Sequence, residues 1–174
     1  MRFALLSLIA LSTILSCGCT NIAGIANAAV KYATIKMIFS CIPEGTRIDT
    51  PQGARPIESL QPGESVIGYD GNAVPILQKH CYSENPAAQR FRRIVLSNGS
   101  TINLCDLHRI GGIKAMDISP GKELFGLTVE RVEKYGGVMR SYDLLTTDSG
   151  YRISGIPVNS MIDEMANATR NSTR

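Results

Sequence analysis

Hydrophobic and polar positions fall into distinct textures along the chain. Phe3 to Leu15 is an unbroken run without charge. Thr20 to Ser40 is alanine-rich through Ala23 to Ala29 and apolar through Val30 to Phe39, with only Lys31 and Lys36 charged. From Cys41 onward the pattern becomes short β-like runs punctuated by turn residues. Thr46 to Asp49 leads through Thr50-Pro51-Gln52-Gly53 into Ala54 to Leu60, and Val66 to Tyr69 leads through Asp70-Gly71-Asn72 into Ala73 to Leu77. Ile94 to Leu96 leads through Ser97-Asn98-Gly99-Ser100 into Thr101 to Leu104, where the Asn-Gly pair predicts a tight primed hairpin turn. Leu127 to Glu133, Met139 to Leu145 and Tyr151 to Ile153 complete the set. Strands at this spacing predict an all-β domain with one barrel-like or sandwich-like core.

Within that domain the chain echoes itself. Leu60-Gln61-Pro62-Gly63-Glu64-Ser65-Val66-Ile67-Gly68 returns as Ile118-Ser119-Pro120-Gly121-Lys122-Glu123-Leu124-Phe125-Gly126 in its apolar, Pro-Gly and final Gly positions. Pro-Gly turns before strands are common, but the match extends past the turn. It predicts two equivalent halves related by a pseudo-two-fold axis.

The first residues read as an address. Met1-Arg2 is a short positive region ahead of an apolar core too short to span a bilayer comfortably, the pattern of a secretory signal over residues 1–16. Ile14-Leu15-Ser16-Cys17 is similar to a bacterial lipoprotein cleavage box, in which Cys17 would become the lipidated N-terminus; Ala26-Asn27-Ala28 is the competing site for ordinary signal peptidase. The expectation is an exported protein anchored to the bacterial envelope, otherwise periplasmic or secreted. Residues 17–40 then serve as tether and residues 41–161 as the domain. The tail, 162–174, continues a short amphipathic start at Met161 into a polar end whose Asn167 and Asn171 fit a glycosylation sequon by chance. Eighteen basic against fifteen acidic residues give a net charge of +3, with Arg92-Arg93 the one tight basic pair. That balance carries no nucleic-acid footprint.

Candidate chemistry sits in Ser40-Cys41-Ile42-Pro43-Glu44-Gly45-Thr46. Pro43 fixes its own φ and pushes Ile42 toward an extended conformation, so Cys41 is held on stiff, non-helical backbone beside its own preceding peptide bond. Only two histidines exist, His80 and His108. Cys105-Asp106-Leu107-His108 follows the Asn98-Gly99 hairpin, placing an acid or base near a strand end.

Taken with the Pro-Gly echo, with Tyr142-Asp143-Leu144 and with Gly155-Ile156-Pro157-Val158-Asn159-Ser160, these motifs resemble the Hint superfamily, which contains inteins and the autoprocessing domain of Hedgehog proteins. The resemblance implies a flattened β horseshoe with a pseudo-two-fold axis. It also implies an autoprocessing activity whose substrate is the chain's own Ser40–Cys41 bond. Cys41 would attack the Ser40 carbonyl in an N–S acyl shift, His108 would strain the bond and protonate the amine, and Cys105 would stand where the family usually has threonine. Asn159 and Ser160 would form the C-terminal junction. Val158 replaces the histidine that assists asparagine cyclisation, so full splicing is not expected. No cofactor is implied.

Other readings stand beside this one. The domain could be a degenerate Hint fold kept as an envelope-anchored binding or structural module, with no protein partner identifiable. Cys81 and Cys105 could pair as a disulfide after export. Cys105 and His108 with His80 or Cys81 could hold zinc in a metal-stabilised domain, though no second well-spaced pair supports it.

Overall fold

The structure, a computed structural model, describes Cys41–Ile162. The expected signal segment, the lipidation site Cys17, the tether and most of the polar tail lie outside the described residues.

Within them the chain is β throughout, apart from 3-10 turns at Ile57–Ser59 and Ala115–Asp117 and the start of a helical turn at Met161–Ile162. The strands are β1 (Ile42–Pro43), β2 (Arg47–Ile48), β3 (Arg55–Pro56), β4 (Ser65–Ile67), β5 (Ala73–Ser83), β6 (Phe91–Leu96), β7 (Thr101–Cys105), β8 (Arg109–Ile110), β9 (Ile113–Lys114), β10 (Glu123–Leu124), β11 (Leu127–Tyr135), β12 (Arg140–Thr146), β13 (Gly150–Ile153) and β14 (Ile156–Asn159). The three predicted hairpins all form. The second strand of the first is cut short, because the run expected to extend from Ala54 to Leu60 turns into a 3-10 coil after Pro56. The Asn98-Gly99 turn also differs from the expected primed type. Gly99 has φ +79° but Asn98 is not left-handed, and the Gly99 N–H closes on the Leu96 carbonyl at 2.8 Å. This is the pattern of an ordinary turn followed by a glycine bulge, which fits the connection between Leu96 and Thr101.

The predicted duplication is visible in the sheet order. One four-stranded sheet runs β1-β12-β5-β4 and its counterpart runs β7-β6-β11-β10. Each half therefore lends one strand to the other: β6 pairs with β7 and β11, and β12 pairs with β1 and β5. The echo motif repeats its hydrogen bonds as well as its residues. Leu60 N–H closes the first 3-10 turn on Ile57 at 3.3 Å and Ile118 N–H closes the second on Ala115 at 3.2 Å. Gly63, at φ +90°, donates to Ile76 O, and Gly121, at φ +84°, donates to Val129 O, both at 2.8 Å. Glycine suits both corners because left-handed backbone carries no Cβ penalty there.

Side-chain alternation then sorts the two faces. Ile42, Tyr142 and Leu144 point into a core with Ile48, Ile57, Leu60, Ile94, Leu104, Tyr151 and Val158. Burial of this apolar surface is the main stabilising term, at roughly 25 cal/mol per Å² removed from water.

Candidate functional site

Alternation on β1 and β12 places Cys41, Ser141 and Asp143 on the face opposite the apolar core. Ile42 pairs with Tyr142 and Pro43 with Ser141, so Cys41 stands across from Asp143. All three are buried. Because β1 is held by β12 on one side and lies against β7 on the other, the Cys41 carbonyl accepts the Cys105 N–H at 3.1 Å. The chain then turns back on itself: His108 N–H donates to Cys105 O at 3.0 Å, and His108 O accepts Ala115 N–H at 2.8 Å. Cys41, Cys105 and His108 are thereby linked through two backbone hydrogen bonds in the interior.

The Cys105-x-x-His108 turn is pinned at its middle by Asp106. Its carboxylate takes Arg92 Nε at 2.5 Å and Lys134 Nζ at 3.5 Å, its N–H donates to Arg90 O, and its carbonyl accepts Met116 N–H. Arg92 is thus engaged in holding this turn. Beside it, Cys105 packs with Phe91 and Val138, and Tyr135 closes the cluster. Burial pushes the Tyr135 phenol up to about 12.

The ionisable groups of the site are buried, and burial dominates their chemistry. Burial raises the Cys41 thiol well above its usual range, and the nearby Asp143, Cys105 and Glu84 push in the same direction. Cys41 is therefore a neutral thiol at physiological pH and needs a base to react. Burial also raises Asp143, to about 7, against four hydrogen bonds that favour its charged form. Tyr151 Oη donates to Asp143 Oδ1 at 2.9 Å and Leu144 N–H to the same oxygen at 2.9 Å. Met161 N–H at 2.8 Å and Ile162 N–H at 3.1 Å donate to Oδ2. Asp143 therefore binds the end of the domain to the place where the domain begins.

The remaining predicted residues are placed differently. Asn159 ends β14, and its carboxamide oxygen accepts the Gly112 N–H at 3.3 Å. Ser160 is wholly buried and its N–H donates to Ser149 O at 2.9 Å. Val158 is buried between Tyr151 and Ile110. The disulfide reading is overturned: Cys81 and Cys105 are not joined to each other, one lying exposed on β5 and the other buried at the end of β7. The zinc reading is not supported either. Among the described residues no three His, Cys, Asp or Glu side chains gather as a metal site. His80 is instead engaged at both ring nitrogens, with Tyr82 Oη and with Gln78 Oε1, each at 3.1 Å.

Reading the residue types alone missed Asp143, Tyr151, Ser141 and Glu84 as members of this site. Asp143 stood in a quoted motif, but its role depends on the register of β1 against β12.

The Hint domain family model matches residues 40–109. Among solved structures, the gp41-1 intein superposes with a TM-score of 0.58 at 16% identity, covering 70% of this chain and 99% of that one. A bacterial intein-like domain from Clostridium thermocellum gives 0.58 at 17% identity, covering 70% and 99%. The MchDnaB-1 intein gives 0.55 at 16%, covering 68% and 99%. None of the curated proteins matches the chain. The β domain thus has the Hint fold, in the form that inteins share.

Proposed function

We propose that the chain is a member of the Hint superfamily and an autoprocessing domain that cleaves itself at Ser40–Cys41 after an N–S acyl shift. The observation that carries this reading is the convergence of both ends of the domain on one buried carboxyl. Cys41 lies opposite Asp143, and Asp143 accepts the N–H groups of Met161 and Ile162. In this reading Cys41 Sγ adds to the Ser40 carbonyl carbon, and the bond from that carbon to the Cys41 nitrogen breaks. His108 delivers the proton that the leaving amine requires, and a thiol or water resolves the thioester. Proton transfer by a placed group is worth about 10² to 10⁴ in rate, which such a protonated thiol needs.

Cleavage stops at the first junction. Val158 offers no proton to assist Asn159, and the Asn159 carboxamide is engaged by Gly112. Cys17, if lipidated, would tether an exported chain to the envelope, and cleavage would release the domain from that tether. A second reading, a Hint fold that has lost its chemistry and serves as a binding module, is favoured by the raised thiol of Cys41. Intact mass of the purified full chain, incubated with and without dithiothreitol, separates the two. Autoprocessing yields a product beginning at Cys41, absent from Cys41→Ala; a chain that stays whole in both supports the binding module.

A further inference from the structure

Behind the Cys41 thiol lies a chain of polar side chains that the acyl shift as described does not use. Ser141 is wholly buried on β12, paired with Pro43 on the same face as Cys41, and its hydroxyl interacts with the Cys41 sulfur in the sense that favours the thiolate. The same hydroxyl donates to Glu84 Oε1 at 2.5 Å. Glu84 follows β5, its side chain is 4% exposed, and its other oxygen takes Arg90 Nη2 at 2.9 Å. A serine hydroxyl has a single proton. That proton can serve either bond: on Glu84 it leaves the Ser141 oxygen open to the thiol proton, and toward sulfur it favours the thiolate, the sense in which Ser141 lowers the Cys41 thiol against burial. Placing a serine and a glutamate in the interior is costly unless they are bonded, and here each is bonded toward the nucleophile.

We infer that Ser141 and Glu84 form a proton relay that removes the thiol proton as Cys41 attacks, with Ser141 the catalytic residue in contact with sulfur and Glu84, held by Arg90, the positioning residue behind it. This rests on the autoprocessing reading above. In the step, the thiol proton passes to Ser141 Oγ while the Ser141 proton passes to Glu84 Oε1. The sulfur electron pair forms the bond to the Ser40 carbonyl carbon. The proton later needed by the Cys41 nitrogen comes from His108, so one proton leaves the sulfur and one reaches the amine. Glu84 returns its proton to solvent past the partly exposed Arg90.

Glu84 has a competing role with the opposite sign. As a nearby negative charge it raises the Cys41 thiol, and Asp143 on β12 and Cys105 on β7 face the same sulfur. If Glu84 acted only as a charge, neutralising it would make the thiolate easier to form and speed the reaction.

The test is the initial rate of dithiothreitol-dependent cleavage of the full chain across pH 6 to 9. Glu84→Gln and Ser141→Ala are each expected to slow cleavage at neutral pH by about 10²-fold. Their rates should climb about tenfold per pH unit, as expected when only spontaneously ionised thiol reacts. Ser141→Thr, which keeps the hydroxyl, should recover most of the rate and the flatter wild-type profile. Wild-type rates in Ser141→Ala, or faster cleavage in Glu84→Gln, would overturn the relay and leave autoprocessing standing. An inert wild-type chain would overturn both. Circular dichroism identifies a variant that has not folded, in which case the remaining variants decide.

Discussion

The two halves of this domain share a backbone and divide its chemistry unequally. Thr46 N–H closes on Pro43 O at 3.2 Å in the first half, as His108 N–H closes on Cys105 O at 3.0 Å in the second. Thr46 O receives Ile57 N–H at 2.9 Å, as His108 O receives Ala115 N–H at 2.8 Å. Both residues precede a short hairpin, β2–β3 or β8–β9, and both are buried. Pro43 and Thr46 thus occupy one copy of a structural position that Cys105 and His108 occupy in the other. The duplicated frame specifies where a side chain is held; residue type alone decides whether that position can move a proton. Strand exchange then brings β12 alongside β1, adding Ser141 and Asp143 from late in the sequence.

The comparison is most sharply tested at its matched pair. His108→Ala is expected to reduce cleavage by about 10²-fold or more. Thr46→Ala, at the equivalent position, should leave the rate within about twofold, because its buried hydroxyl has no hydrogen-bond partner and removing it costs little, within about 1 kcal/mol of stability. Equal losses of rate from the two substitutions would mean that both positions act through the fold.

A smaller effect is expected from Asp143, which the exchanged strand β12 places across from Cys41. Its carboxyl is near 3.9 in the unfolded chain and about 7 in the fold. The folded state therefore binds the extra proton. The associated stability is fully present below about pH 4 and is lost as pH rises through about 7. In Asp143→Asn the carboxamide oxygen can keep the Met161 and Ile162 N–H bonds, and its NH2 can donate to the Tyr151 hydroxyl. Thermal melts from pH 4 to 8 should show the wild type losing stability relative to this variant as pH rises. A constant difference across the range would contradict the buried, titrating carboxyl.

The smallest expected effect concerns the frame itself. Gly63 and Gly121 sit at equivalent left-handed corners, and neither has an atom that a Cβ would strike within 4 Å. Alanine at either should cost about 1 kcal/mol from backbone strain alone. Denaturant midpoints that drop similarly in the two variants support equivalent corners; a large difference would break the equivalence.

Much of the fold was legible because its longer strands announce themselves. The β4–β5 and β6–β7 hairpins, β11 and β12 carry β-rich runs bounded by glycine, asparagine or proline, and the Pro-Gly echo located the duplication. Pairs such as β8, β9 and β10 have two residues each, too few for any period to register. β14 was read only as a motif, since Gly155-Ile156-Pro157 looks like a turn; Pro157 sits inside it all the same. In the site, Cys41, Cys105 and His108 stood out through rare residue types at telling spacings. Ser141, Glu84 and Tyr151 did not, because serine, glutamate and tyrosine in alternating strands are ordinary surface composition. Only the pairing of β12 with both β1 and β5 brings Ser141 and Glu84 together behind Cys41, while Tyr151 reaches the site from β13 through its hydrogen bond to Asp143.

The central claim is that the acyl group of Ser40 moves to the sulfur of Cys41. Treating the full chain with hydroxylamine at neutral pH and weighing the fragments measures this directly, since hydroxylamine captures a thioester and leaves amides intact. The account predicts an upstream fragment ending in a Ser40 hydroxamate together with a domain beginning at Cys41. An unbroken chain, or scission at any other bond, would contradict it.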